Sequence, residues 1–373
     1  MRELHMRRSY RILPVYAGDV SGACSALFEL SGMVVIHDPS GCNSTYNTHD
    51  ETRWYDHDSL IFITALRERD AILGNDDKLV RDVVDAAREL HPRFIALCNS
   101  PIPFITGTDF AALCRMIEAQ AEIPCFYVAT NGMHDYVVGA GNALAAVAEH
   151  LTPEDAGPVR PRSVNLLGVT PLDFSHDDEV EGLRAFCKRT GRTIVSCWAM
   201  GSSLDELTRA GEAEVNLVVS ATGLAAAKVL RERYGTPYVV GRPQGADAFD
   251  EALARALDEA ARTDACSWPC RDLRASTPDG PRIIIGEPVA AASEAAALEL
   301  AGEAPVRVIC PLEATRELQG SHDLWTGGEE DVEAACAQAT LVYADAFYQE
   351  VLPEGAELVA RPHLAFSGRN ALS

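Results

Sequence analysis

Hydrophobic residues recur along the chain in two alternating patterns. Short aliphatic runs such as residues 93–98 ("RFIALC") predict buried strands, while the segments between them repeat apolar residues at the spacing of a helix. In residues 76–90, for example, Leu79, Val83 and Leu90 share one helical face, and acidic residues stand at its start, where the helix dipole is positive. Strands that alternate with helices indicate βαβ units and parallel sheets.

Two polar, proline-containing stretches interrupt this alternation, at residues 152–163 and 266–281. The pattern therefore predicts an α/β protein with three Rossmann-like, doubly wound domains that contain parallel sheets. We expect these domains at residues 1–155, 163–265 and 281–373. In such sheets ligands bind beyond the carboxyl ends of the strands, so the loops that follow strands are the places to look for chemistry.

Composition and charge exclude some classes of function. The formal net charge of -23 argues against nucleic-acid binding, which depends mainly on Lys and Arg to neutralise phosphates. No stretch approaches the roughly 18 to 20 apolar residues of a membrane helix, and the first residues lack the apolar core of a signal peptide. We expect a cytoplasmic protein without a nucleic-acid or membrane partner.

Eleven cysteines are present, an odd number that cannot all pair within one chain. In a reducing compartment such thiols are buried apolar groups, metal ligands or reactive groups. Cysteines inside helical patterns are expected in the core: Cys114, Cys187 and Cys336. Three others lie in or beside predicted loops of the first domain: Cys24, Cys42 and Cys98. Their wide spacing does not match compact ferredoxin or zinc patterns, so a shared cluster and ordinary burial both stay open.

The sequence around these three cysteines resembles the nitrogenase component 1 family. Residues 24–42 ("CSALFELSGMVVIHDPSGC") are similar to the family's Cys, helix and strand that lead into a His-Gly-Pro-x-Gly-Cys turn. Residues 63–110 are similar to its thread of Glu, Ile-Gly-Gly, Lys-Leu, a helix, and a strand that ends in Cys before an Ile-Gly-Asp-Asp segment. The resemblance is strongest over residues 22–150 and 192–245.

That resemblance implies an iron-sulfur cluster held between two related subunits by the first domain. Cys24, Cys42 and Cys98 match the family's cluster cysteines. Thiolates suit iron, and two chains with three cysteines each would supply six. The cluster would then be a [4Fe-4S] cubane that uses some of the six, or a larger cluster like the eight-iron P-cluster of nitrogenase.

Two further segments resemble the part of nitrogenase alpha chains that holds the molybdenum-iron cofactor. In residues 214–245, Ser220 occupies the position of a cofactor-ligating Cys, and a serine hydroxyl does not readily supply a soft anionic ligand. This difference argues against dinitrogen reduction. Residues 361–370 ("RPHLAFSGRN") are similar to the stretch with a cofactor-ligating His. His363 is therefore predicted to face the same cavity, as a neutral ligand or a proton donor, with a structural loop histidine as the alternative.

The resemblance implies a component 1-like redox subunit. Such a subunit takes low-potential electrons from a separate ATP-dependent iron-sulfur reductase and reduces a small-molecule substrate near Ser220 and His363. A tetrapyrrole is the favoured class, because relatives in chlorophyll and nickel-tetrapyrrole synthesis use this scaffold. The chain would form a homodimer, or a heterodimer with a related component 1 chain. Two alternatives stay open: a non-catalytic scaffold that assembles or transfers an iron-sulfur metallocofactor, and a cluster-free sensor or structural homologue.

Other motifs are weaker candidates. Cys266 and Cys270 form a CxxxC pair, which indicates either a second metal site or interdomain packing. The "GAGNAL" motif that begins at Gly139 resembles half a dinucleotide-binding motif but lies in a helical pattern. No P-loop is present, so the chain should not itself hydrolyse ATP. Three histidines stand near several aspartates, in a polar loop or as metal ligands: His37, His49 and His57.

Overall fold

A computed structural model describes residues 11–39, 51–55, 57–174, 177–245, 248–274, 281–303 and 305–368. Its strands form three sheets in which every strand pair is parallel. Helices or 3₁₀ turns lie between successive strands, in the crossover connections that parallel pairing requires. The predicted class, an α/β protein with several Rossmann-like parallel-sheet domains, is confirmed.

The first sheet has the strand order β2-β1-β3-β4. Its strands are β1 (Met33–His37), β2 (Leu60–Ile63), β3 (Ile95–Asn99) and β4 (Cys125–Val128). Its helices are α1 (Asp19–Leu27), α2 (Glu68–Leu73), α3 (Asp76–Leu90), α4 (Pro101–Thr106), α5 (Phe110–Ala121) and α6 (Tyr136–His150), with a 3₁₀ turn at Thr52–Tyr55. All five residues of β1 and of β3 are buried, which is typical of central strands covered on both faces.

The second sheet has the order β6-β5-β7-β8. Its strands are β5 (Arg160–Val169), β6 (Thr193–Ala199), β7 (Ala213–Val218) and β8 (Tyr238–Val240). The helices of this region are α7 (Asp177–Arg189), α8 (Leu204–Leu207), α9 (Leu224–Tyr234), α10 (Ala248–Thr263) and α11 (Pro269–Asp272). The structure thus repeats the βα alternation that the sequence predicts here.

The third sheet has the order β11-β10-β9-β12-β13. Its strands are β9 (Arg282–Ile285), β10 (Val306–Cys310), β11 (Leu324–Trp325), β12 (Leu341–Ala344) and β13 (Glu357–Ala360). Two helices pack against it, α12 (Pro288–Leu300) and α13 (Glu329–Cys336). Among the helices of all the described ranges, none is long and apolar enough to cross a membrane.

The packing of the three sheets is continuous. Each sheet lies within one of the predicted ranges, but one hydrophobic cluster contains residues of all three, from Ala17 through Leu217 to Ala365. Helix α6 packs against both α1 and α9 and so joins the first two sheets. The predicted domain boundaries stay predictions, since no break in the core marks them.

Helices α1 and α6 approach closely through glycines. A Cβ atom on Gly139 would lie 1.7 Å from the carbonyl oxygen of Asp19, and one on Gly22 would lie 2.2 Å from that of Tyr136. Gly139 therefore lies in the interior of α6 and permits helix packing, which does not support the dinucleotide-binding interpretation of its motif. This packing also determines the position of Cys24 on α1.

The predicted buried face of α3 needs one correction. Its buried residues are Leu79, Val80, Val83, Val84 and Ala87. Leu90 is 39% exposed, because it is the last residue of the helix and His91 then takes a left-handed conformation. The chain turns away from the sheet at that point.

Candidate functional site

Two of the three predicted cluster cysteines lie side by side. Cys24 is on α1 and Cys98 is near the end of β3, and both are fully buried. Their thiols form a hydrogen bond, which together with burial raises the pKa of Cys24 well above its usual value. The structure therefore brings two soft sulfur donors together inside the first domain, at the carboxyl end of a central strand.

The surroundings of this pair differ in part from the sequence prediction. Cys24 does not lie in or beside a loop but in the middle of α1, because that helix already begins at Asp19. Cys42 lies outside the described residues, as do His49, Asp50 and Asp56. Within the described ranges, no group of three or more His, Cys, Asp and Glu side chains is arranged to hold a metal ion. The two thiols are suitable donors for iron, and the third predicted donor is not described.

A buried ionic network lies beside Cys24. Arg53 forms ion pairs of 2.8 Å with both Glu51 and Glu29, and its Nη2 donates to the backbone oxygen of Ser25 at 2.7 Å. The hydroxyl of Ser25 donates to Glu51 at 3.0 Å. These contacts attach residues 51–53 to α1 next to the cysteine. Because Arg53 is itself buried, losing either carboxylate would leave it with a poorly compensated charge.

An exposed apolar surface lies on α2 and α4, and α4 begins two residues after β3 ends. The two helices contact each other. We call their exposed apolar side chains the α2/α4 surface: Ile72, Leu73, Ile102, Phe104 and Ile105. Ile105 is 76% exposed. Several large apolar side chains exposed together are typical of an interaction site.

A second candidate site is a cavity of about 970 Å³ between the second and third sheets. Helices α7 and α12 contribute to its wall. Four of its polar residues follow the carboxyl ends of strands β5, β9, β12 and β13: Asp173, Glu287, Asp345 and His363. This is the position where open α/β sheets usually bind ligands.

The structure separates the two predicted catalytic residues. His363 lines the cavity. Ser220 is fully buried and is not among the described residues that line the cavity. Its hydroxyl lies 2.7 Å from the carbonyl oxygen of Gly168 and 2.6 Å from the hydroxyl of Thr222, so its polar atom is occupied inside the second domain.

His363 is held by residues from three parts of the chain. Its Nε2 lies 3.1 Å from the hydroxyl of Tyr136, and that hydroxyl donates to Asp173 at 2.5 Å. The backbone N–H of His363 donates to Asp345 at 2.8 Å. Burial, then the charge of Asp173, raises the pKa of Tyr136 well above its usual value. The imidazole is therefore kept in one orientation at the wall of the cavity.

The comparisons with known proteins identify the family of the chain. A family model described as "Nitrogenase component 1 type Oxidoreductase" matches residues 19–279, which is more than half of the chain. The chain belongs to this family. The predicted resemblance is thus confirmed.

Curated relatives of this component 1 type chain include two kinds of protein. The nitrogenase iron-molybdenum cofactor biosynthesis protein NifE of Clostridium pasteurianum is 26% identical over 53% of the chain, and NifE of Sinorhizobium fredii is 26% identical over 66%. One of the subunits of the light-independent protochlorophyllide reductase of Prosthecochloris aestuarii is 28% identical over 57%. The matches span only 42%, 51% and 39% of these relatives' own lengths, respectively.

The fold of the chain is similar to solved nitrogenase structures. A structure of nitrogenase Cp1 at pH 6.5 superposes with a TM-score of 0.67, over 99% of this chain and 93% of that one, at 17% sequence identity. Another, of nitrogenase Cp1 at pH 5, gives a TM-score of 0.65 at 14% identity. At these identities the likeness concerns the fold alone.

Several polar residues of the cavity were not predicted from the sequence. Glu287 is the clearest: burial, then the charge of Asp173, raises its pKa to about 7. Its position directly after β9, in "RIIIGEP", is the signal that could have identified it. Tyr136 offered no such signal, since it starts a helix of the first domain.

The weaker motifs of this component 1 type chain do not form sites with the described residues. Cys270 is fully buried in the core, and the sulfur of Cys266 accepts the backbone N–H of Tyr238 at 3.5 Å. His37 is hydrogen-bonded to Thr64 at 2.8 Å. Burial lowers the pKa of His37, which keeps it neutral near pH 7.

Proposed function

We propose that the protein is a catalytic nitrogenase component 1-like subunit. In this proposal Cys24, Cys42 and Cys98 hold an iron-sulfur cluster, of the [4Fe-4S] type or larger, at the interface with a second component 1-like chain. An ATP-dependent iron-sulfur reductase supplies low-potential electrons, and a small molecule other than dinitrogen is reduced beside His363. The observation that carries the proposal is the contact between the Cys24 and Cys98 thiols.

The chemistry of this thiol pair supports a metal cluster. The Cys24 thiol is hard to ionise, because its hydrogen bond with Cys98 and its burial raise its pKa. Iron compensates for that cost, because a bound metal displaces the thiol protons and stabilises the thiolates. The carboxylate of Glu51 adds to that cost, because its charge also raises the pKa of Cys24.

The α2/α4 surface supports a partner chain at the cluster. Its helix α4 follows the strand that carries Cys98, so a chain that covers this surface would also approach the cysteines. Burying such apolar side chains provides about 25 cal/mol for each Å² removed from water. We propose either a second copy or a related component 1 chain as the occupant.

The cavity supports a large substrate. Its volume of about 970 Å³ lies near the upper end of the roughly 300–1,000 Å³ that small-molecule sites span. Small residues form much of the wall on α7 and α12: Gly182, Ala185, Ala290, Ala291 and Ala297. They leave broad apolar surfaces that suit a planar ring. A tetrapyrrole is therefore our proposed class, in agreement with the name of the protochlorophyllide reductase relative.

A second candidate function is a scaffold for an iron-sulfur metallocofactor. The similarity to NifE biosynthesis proteins favours it. The two functions differ in their products. A catalytic subunit consumes a substrate when it is supplied with a reductase and ATP, whereas a scaffold passes a cluster to an acceptor protein and leaves the substrate unchanged.

The first experiment measures iron and sulfide per chain, with electron paramagnetic resonance, after anaerobic purification. We expect Cys24→Ala and Cys98→Ala to lose most of the iron. Cys114→Ala is a matched control, because Cys114 is also a buried thiol in the first domain and shares a hydrogen bond with Cys125. It should keep its iron. Equal loss in all three variants, or an iron-free wild type, would contradict the ligand assignment.

A further inference from the structure

We propose that Glu287 is the acid that delivers protons to the molecule reduced in the cavity. This inference rests on the proposed function, since it assumes that reduction occurs there. It concerns a residue that neither the family resemblance nor the sequence patterns identify.

The carboxyl group of Glu287 is fixed at the wall of the cavity. The residue caps the first turn of α12 and is only 4% exposed. One carboxylate oxygen accepts the backbone N–H of Ala221 and the other accepts that of Ala290, each at 2.7 Å. Ala221 belongs to the second domain and Ala290 to the third, so the group is held where the two meet.

Glu287 differs from several other carboxylates of the cavity. Three of these form ion pairs with arginines: Asp250 with Arg189, Glu179 with Arg242, and Glu294 with Arg361. Among the described residues, no Lys, Arg or His forms an ion pair with Glu287. A carboxyl group that is buried without a cation favours its neutral, proton-carrying form.

The groups that face Glu287 also favour its neutral form. They are Asp173 after β5, Tyr136 on α6, Cys270 on α11 and Cys310 on β10. Burial raises the pKa of Tyr136 and Cys310 well above their usual values and that of Cys270 to about 12, so these three groups are neutral at pH 7. Among these groups, Asp173 is the one whose charge raises the pKa of Glu287.

These effects tune Glu287 for general acid catalysis. Burial and Asp173 raise its pKa to about 7, and the backbone N–H groups of Ala290, Ala221 and Val289 act in the opposite direction. A general acid is most effective when its pKa lies near the working pH, because the proton is then both present and readily transferred. Glutamates in other enzymes are tuned by the same physical means.

The proposed step balances. Reduction of a substrate double bond adds two electrons, supplied through the reductase, and two protons. The O–H bond of Glu287 breaks as a bond from hydrogen to the substrate forms, and the electron pair of the broken bond stays on the carboxylate. The carboxylate then takes a proton from water that enters the cavity, and the second proton follows from Glu287 again or from His363.

One test needs no turnover. The full chain is labelled with ¹³C at the glutamate carboxyl carbons and titrated by NMR, and the Glu287 signal is identified by its loss in Glu287→Gln. We expect a midpoint near 7, which Asp173→Asn shifts to lower pH because it removes the opposing charge. An ordinary midpoint near 4.5 in the wild type would overturn the proposal, since the proton would be absent at neutral pH.

A second test uses the anaerobic holoprotein with reductase, ATP and protochlorophyllide as the probe. Glu287→Gln should slow product formation on the order of 100-fold or more, with iron content and probe affinity unchanged. Glu303→Gln, which alters a surface carboxylate paired with Arg282, is the control and should keep the wild-type rate. A wild-type rate in Glu287→Gln would overturn the proposal. If wild-type protein leaves the probe unreduced, the proposed substrate class fails, and the NMR titration alone decides whether Glu287 is a neutral-pH acid.

Discussion

Replacing Gly139 with alanine should destabilise the first domain. The new Cβ atom would lie 1.7 Å from the carbonyl oxygen of Asp19, whereas non-bonded heavy atoms pack at about 3.5–4.0 Å. The obstructing atoms belong to the backbone of α1 and cannot rotate away. Helices α1 and α6 would therefore have to separate by more than about 1 Å, which overpacked cores tolerate poorly.

The magnitude follows from two opposing effects. Overpacking of this kind costs about 3 kcal/mol or more, and the better helix propensity of alanine returns about 1 kcal/mol. We expect a net loss of about 2 kcal/mol or more in the free energy of unfolding. Because Cys24 lies on the displaced helix and Cys98 on the sheet, the variant should also retain less iron.

Urea unfolding followed by circular dichroism measures this effect. Gly141→Ala is the matched control, because its Cβ would lie 3.6 Å from the nearest atom, the carbonyl oxygen of Thr222, in an ordinary contact. This control should be as stable as the wild type or gain up to about 1 kcal/mol. Equal stability of the Gly139→Ala and Gly141→Ala variants would refute the argument that the two helices meet through Gly139.

Two further predictions concern the surface and the first described residues. Ile105→Glu should lower the mass in gel filtration from that of a dimer to that of a monomer. Val159→Glu, a change at another exposed apolar position, should leave the mass unchanged. If both variants remain dimers, the α2/α4 surface is not the interface. Glu329 accepts three backbone N–H groups of residues 11–13, so Glu329→Ala should speed proteolysis of that segment relative to Glu330→Ala. These N–H groups lower the pKa of Glu329, so the protection should be present above the usual glutamate pKa and disappear as the pH falls through the lowered value.

Local patterns predicted many elements closely. A helix was predicted at residues 76–90 and is observed at Asp76–Leu90, because apolar residues at helical spacing after an acidic start define a helix within a few positions. Short elements were missed, among them β2, α2 and α4, since four to six residues do not show a clear period. Cys24 was predicted in or beside a loop, yet Gly18 caps a helix that continues through the cysteine.

The candidate sites depend on contacts that local sequence patterns do not predict. The cysteines were chosen by residue type and resemblance, but their contact depends on α1 packing against α6 beside a central strand. The same tertiary packing places the hydroxyl of Ser220 inside the second domain and leaves His363 at the cavity. Neither outcome is visible in the spacing of the residues, because it arises from the arrangement of elements far apart in the chain.

The amino-acid sequence alone determined the α/β class, the parallel pairing and the family of this protein. These follow from hydrophobic periodicity and from motif order, both of which are local or nearly local properties. Only the tertiary structure decided that Glu287 is buried in the cavity wall near Asp173, and these surroundings raise its pKa to about 7. Burial and the distance between charges determine a pKa, and both exist only after remote strands have come together.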